Sequence, residues 1–195
     1  MNFAERLAGL YLRLNGFFLM PEFSTFRVGL EKGHAHVDLI AFRPAGSREI
    51  FEGIVFPLDA AFYHAVAKLG GEPFSENVAL VCEVRTNFAG EFPNADRVKY
   101  AAEMCGTNSV VSVSCDRSLD HVELVKEKSA IKIGLLHMIR WIAARISWLD
   151  KEGVPKSASW NWSEPALADF LVLNQLIPIQ YENESNMFVW SATER

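Results

Sequence analysis

Two carboxylates and a cation occupy positions that strands would carry: Asp38 in His36-Val37-Asp38-Leu39-Ile40, Glu83 in Val81-Cys82-Glu83-Val84, and Arg85 two residues further on. Side chains alternate across a strand, so His36, Asp38 and Ile40 share one face, and Val81, Glu83 and Arg85 share one face of theirs. If the two strands are neighbours, the carboxylates converge. Such a pair can hold Mg²⁺ or Mn²⁺, a hard cation that takes oxygen ligands and keeps several of its waters. A water on the ion, its pKa lowered, can attack phosphorus, which is the chemistry of phosphodiester hydrolysis. The further group such a reaction wants is a lysine, whose ammonium stabilises the pentavalent phosphate or helps orient the water.

The elements that must position these groups are legible as changes of period. Phe3, Leu7, Leu10 and Leu14 recur at helical spacing, and Asn15-Gly16 supplies a stop, so a helix is expected over residues 3–14. Strands are expected over 17–28, bent at Pro21, and over 36–42, ended by Pro44-Ala45-Gly46. Residues 45–77 read as an insertion, with Asp59 capping a short helix that presents Phe62, Val66 and Leu69. The run 78–86 is apolar until Glu83, the pattern of a central strand covered on both faces. Asn94 is placed to cap a helix through Cys105, a strand follows over 109–115, and His121–Val125 can pair with it. A long helix is expected over 131–149 on the spacing of Ile131, Leu135, Ile139, Ile142 and Ile146. Beyond Lys151 the composition turns to Pro, Ser and Trp, with a helix from Ser163 and short strands over 177–181 and 187–190. The expected organisation is an α/β core over 1–150 and a C-terminal helical and strand extension over 151–195, packed on the core.

This order of helix, strand, strand with Val37-Asp38, then Leu80-Val81-Cys82-Glu83-Val84-Arg85 and a helix resembles the PD-(D/E)xK nuclease superfamily, over roughly residues 3–146. The resemblance implies a restriction-endonuclease-like, three-layer core with a mixed central sheet flanked by helices. It also implies a Mg²⁺-dependent nuclease acting on DNA, with Asp38 and Glu83 as metal ligands and a homodimer as a common assembly. Glu5 resembles the auxiliary acid that some members place on their first helix, and Asp96 with Tyr100 resembles, loosely, the Gln-x-x-x-Tyr element of others. Val37 stands at the motif proline and Arg85 at the motif lysine. An arginine keeps its charge and stabilises a phosphate but cannot serve as a base. Lys99 is a candidate to replace that lysine from the following helix; its i,i+4 spacing to Glu103 offers a simpler role. The alternative reading is a catalytically inactive protein of the same fold, acting as a nucleic-acid-binding or protein-interaction module.

Other patterns are weighed against these. His34-x-His36-x-Asp38 resembles the start of the metallo-β-lactamase zinc motif, but Leu39 stands where the next histidine belongs. Cys82 alternates into an apolar face and reads as core. Trp141, Trp148 and His137 with Arg145 could form a stacking or interface surface, or could complete the core under the C-terminal region. Arg43, Arg48, Arg97 and Lys99 flank the carboxylates in sequence and could contact phosphates. The net charge of −5 argues against a broadly basic surface without excluding a local groove. Three widely spaced cysteines fit a reducing compartment. With no apolar run of roughly 18 residues and no evident signal peptide, a cytoplasmic protein without membrane partners is expected.

Overall fold

A computed structural model describes residues 3–25, 35–72, 74–85, 92–93, 95–154 and 188–189. In chain order these form α1 (Phe3–Leu14), β1 (Phe18–Thr25), β2 (Ala35–Arg43), β3 (Ile50–Phe51), β4 (Ile54–Val55), β5 (Leu58–Asp59) and α2 (Ala60–Lys68). There follow β6 (Val78–Arg85), α3 (Ala95–Cys105), β7 (Val110–Asp116), β8 (Val122–Val125), a 3₁₀ turn (Lys126–Lys128), β9 (Ala130–Gly134), α4 (Leu135–Lys151) and β10 (Phe188–Val189).

Six strands make one mixed sheet in the order β1-β2-β6-β7-β9-β8. β1, β2 and β6 pair antiparallel, whereas β6, β7 and β9 run parallel, with α3 as the crossover between β6 and β7. A parallel neighbour cannot be reached through a hairpin, and the helix supplies the return path. Alternation along β6 divides the core. Leu80, Cys82 and Val84 belong to the large apolar cluster built with α1 and α4, whereas Val81 packs in a small one with Val37, Ile40 and Ala101 of α3. The result is an α/β fold with helices on both faces of its sheet.

Packing departs from the sequence expectation at three elements. Residues 130–134 form a strand where a continuous helix over 131–149 is expected, and α4 begins only at Leu135. Ala-Ile-Lys-Ile-Gly also alternates with period two, and the open side of β7 takes it as a parallel partner from Ser112↔Ala130 to Asp116↔Gly134. On α4, Trp141 and Arg145 are fully buried and Trp148 half-buried beside Phe56, so the first two form core rather than a stacking surface. α1, expected to be amphipathic, is buried at every position except Phe3, Glu5, Arg6 and Arg13, because α4 covers the side that solvent would otherwise reach.

The stretch read as an insertion is tied into this core by one buried carboxylate. Asp59 caps α2 by accepting from the N–H groups of Ala61 (3.0 Å) and Phe62 (3.2 Å), and its second oxygen lies 2.6 Å from both Tyr11 Oη and His137 Nε2. Its own N–H donates to Asn15 Oδ1 at 2.8 Å, and Tyr63 Oη donates to the Asn15 carbonyl at 2.5 Å. Burial, reinforced by Asp59, pushes the Tyr11 phenol well above its ordinary pKa and keeps it a donor. Of the C-terminal extension, β10 pairs with β5 through Phe188↔Asp59; the expected helix from Ser163 and the strand over 177–181 lie outside the described residues.

Cys82 and Cys115 are fully buried and Cys105 partly so, and burial pushes all three thiols up. Thiolate is the reactive form. Titration with a chromogenic disulfide at pH 8 is therefore expected to modify at most one thiol in the native chain, slowly, and all three after denaturation. Rapid modification of two or more would contradict this packing. No helix among the described residues is long and apolar enough to cross a membrane.

Candidate functional site

The antiparallel ladder between β2 and β6 runs from Arg43↔Val78 to Leu39↔Cys82. One step further its register sets Asp38 opposite Glu83, and there side chain takes over from main chain: the N–H of Val84 donates to Asp38 Oδ2 at 2.7 Å. The hydrogen bond fixes one carboxylate beside the backbone of the residue that follows the other. Glu83 is only 4 % exposed, and it carries a charge in an otherwise apolar central strand. Such a burial needs a partner.

That partner is Arg97. From the first turns of α3 its Nη1 donates to Glu83 Oε1, with the arginine about one-fifth exposed. Arg97 lies one turn before Ala101, the buried residue through which α3 packs on Ile40 and Val81. The signal was available in the sequence: once Ala101 is taken as the sheet-facing position, residue 97 faces the sheet too. Lys99, two residues on, stands 77 % exposed and forms an ion pair with Glu103 at 4.0 Å.

The same face of the sheet continues the polar row. Across the parallel pairs, Glu83 is in register with Ser114, Ser114 with Lys132, and Arg85 with Asp116. Ser114 is fully buried, yet its hydroxyl has no hydrogen-bond partner among the described residues. Lys132 is partly exposed on β9, two strands or about 10 Å from Glu83 at normal strand spacing. It was missed because the helical reading of residues 131–149 put it on the wrong kind of element. Asp116 closes the row, its Oδ1 accepting from the Ser118 N–H (2.8 Å) and hydroxyl (2.7 Å).

β6 lies between an antiparallel neighbour, β2, and a parallel one, β7. Of the residues singled out in the sequence, Asp38 and Glu83 come to adjoining positions. Arg85 ends β6 opposite Asp116, but its side chain lies outside the description. Glu5 is half-buried in the first turn of α1. His34 falls outside the described residues, and for His36 only the strand position opposite Ser24 is described. Asp96 and Tyr100 lie on α3, and the capping position Asn94 is outside the described residues.

Among the described residues no three His, Cys, Asp or Glu side chains gather as a metal cage. Mg²⁺ does not require one, since one or two carboxylates with waters suffice. Two carboxylates, with the orphaned Ser114 hydroxyl beside Glu83 to bind a coordinated water, fit that ion better than a calcium or zinc site. Comparison of the chain with protein-family models, with curated proteins and with solved structures finds no match.

Proposed function

We propose that the chain is a restriction-endonuclease-like, Mg²⁺-dependent nuclease whose site is Asp38 and Glu83, and that DNA is its substrate. The observation that carries the reading is the hydrogen bond from the Val84 N–H to Asp38, formed where the β2–β6 ladder ends and one residue along β6 from Glu83. It is supported by the element order, in which α1, the antiparallel pair β1 and β2, then, after β3, β4, β5 and α2, the strand β6, α3 and the parallel β7 follow the order of the sequence resemblance with an insertion between β2 and β6.

In this reading Asp38 and Glu83 hold the ion, which when bound supplies an activated water and neutralises phosphate charge. The chain's own groups do the rest. The Val84 N–H holds Asp38 in one orientation, and Ser114 accepts from or donates to a water beside Glu83. Arg97 places a permanent cation beside the carboxylate pair, where negative charge would develop on the phosphate. It thereby takes over the role that the sequence assigned to Arg85. Lys132, partly exposed on β9, adds a further positive charge on the same face of the sheet.

A second reading draws on the same ion pair: with Glu83 already neutralised by Arg97, the domain is a closed, inactive member of the fold that binds nucleic acid or protein. Nicking of supercoiled plasmid in Mg²⁺ separates the two. The nuclease reading expects nicking by the wild type and a rate about a hundred- to a thousandfold lower for Arg97→Ala, the loss typical of one transition-state donor. Nicking by neither protein, with plasmid bound by both, supports the second reading and defeats the first.

A further inference from the structure

We propose that the fold carries a second binding site, a cavity for a small uncharged aromatic molecule, at the opposite end of β2 from Asp38. The cavity is about 490 Å³, within the range of about 300–1,000 Å³ usual for small-ligand sites. Three parts of the chain enclose it: the turn from α1 into β1, the end of β2 with the loop after it, and the run from β4 to β5. Arg43, which lines it, is five residues from Asp38, about 17 Å along an antiparallel strand. The proposal does not rest on the nuclease reading.

Floor and mouth are both apolar. Phe17, Phe56 and Leu58 are buried at the floor. The two rings are fixed from behind, Phe17 against Phe62 with centres 6.0 Å apart and Phe56 against Trp148 at 6.2 Å. A floor already set in place takes a ligand at little ordering cost. Leu19 and Val55 stand half-buried in the walls. At the mouth Phe18 is 68 % exposed, and Ile50, which pairs with Val55 across the β3–β4 hairpin and so shares its face, is 55 % exposed. Large apolar side chains left in water around a cavity are stabilised when an apolar ligand covers them, and rings favour a flat aromatic body.

The charged groups of the wall are engaged within the protein, and this sets the ligand's charge at zero. Arg43 donates from Nη2 to the Ser47 carbonyl at 2.5 Å, and its guanidinium lies 5.4 Å from the Tyr63 ring centre and 5.5 Å from that of Phe74. Glu49 pairs with Arg145, which has no exposed surface. Arg13 and Arg48 have interactions of their own. An ionic ligand would give up its hydration and have to compete for charges that are already matched. A neutral ring displaces none of these contacts and gains the apolar surface of the floor and mouth.

The test is a fluorescence titration of the full chain with N-phenyl-1-naphthylamine, an uncharged probe that brightens in apolar surroundings, beside 8-anilinonaphthalene-1-sulfonate, which has the same rings and one sulfonate. The uncharged probe is expected to bind saturably, once per chain, and the sulfonate at least about tenfold more weakly. Phe18→Ser, at an exposed position, should weaken binding of the uncharged probe about tenfold without lowering the melting temperature. Val55→Trp, which fills the cavity from its wall, should abolish binding, and Asp38→Asn should leave it unchanged. The proposal fails if the uncharged probe does not bind, or if the sulfonate binds as tightly. It also fails if Phe18→Ser binds the probe as the wild type does, if a folded Val55→Trp chain still binds it, or if Asp38→Asn abolishes binding.

Discussion

Replacing Asp38 with asparagine is expected to lower Mg²⁺-dependent plasmid nicking about a thousandfold, equivalent to about 4 kcal/mol of transition-state stabilisation, while the fold survives. The two effects separate because the side chain has two tasks. One oxygen accepts the Val84 N–H at 2.7 Å, and the amide oxygen of asparagine can accept it equally. The negative charge that a divalent ion requires is lost. Asp38→Ala removes both, so it should lose activity and also about 1–3 kcal/mol of stability, the cost of leaving a buried amide without an acceptor. Thermal melts run beside the nicking assay check both statements. An Asp38→Asn protein that nicks at the wild-type rate would remove Asp38 from the site.

Replacing Arg145 with alanine should cost about 3–5 kcal/mol, the loss usual for one partner of a buried charge pair, read from urea unfolding. Arg145 has no exposed surface. Its guanidinium joins three separate segments: Nη1 donates to the Leu14 carbonyl at the end of α1 and to the Pro57 carbonyl at 3.1 Å, and Nη2 pairs with Glu49. The rings of Phe56 and Trp141 lie beside it, with centres 5.3 and 5.7 Å from the guanidinium carbon. Burial pushes its pKa down and Glu49 pulls it back up. Truncation strands two carbonyls and a carboxylate and opens a void between α1 and α4. Arg145→Lys keeps the charge but not the fork, so it should recover only part of the loss. A cost under about 1 kcal/mol for the alanine variant, the scale of an exposed ion pair, would show that the network contributes little.

How far the sequence could be read depended on whether one period was at work or two. β2 and β6 read as strands from their alternation, and the ladder from Leu39↔Cys82 to Arg43↔Val78 makes them neighbours, but strict alternation does not reach the start of β2, where Val37 joins Ile40 and Val81 in one cluster. The stretch at 130–134 satisfies both periods at once. Ile131 stands four residues before Leu135, as in a helix, and two before Ile133, as in a strand, and the choice is made by the vacant side of β7. With that misreading went Lys132 and its place in the polar row. Charged core residues hide in a different way. Nothing local marks Arg145 or Asp59 as buried, because their partners lie dozens of residues away at Glu49, Tyr11 and His137. Arg97 falls between these cases: its helix was expected and its partner named, but only the packing of Ala101 says which way it faces.

The most direct test of the account is the number of Mn²⁺ ions bound per chain, followed by loss of the free-ion paramagnetic signal, in the wild type, Asp38→Asn and Glu83→Gln. The geometry of β2 and β6 predicts a bound ion in the wild type that disappears in both variants. A wild-type chain that leaves millimolar Mn²⁺ free, or variants that bind it unchanged, would contradict the claim that these two carboxylates form a metal site.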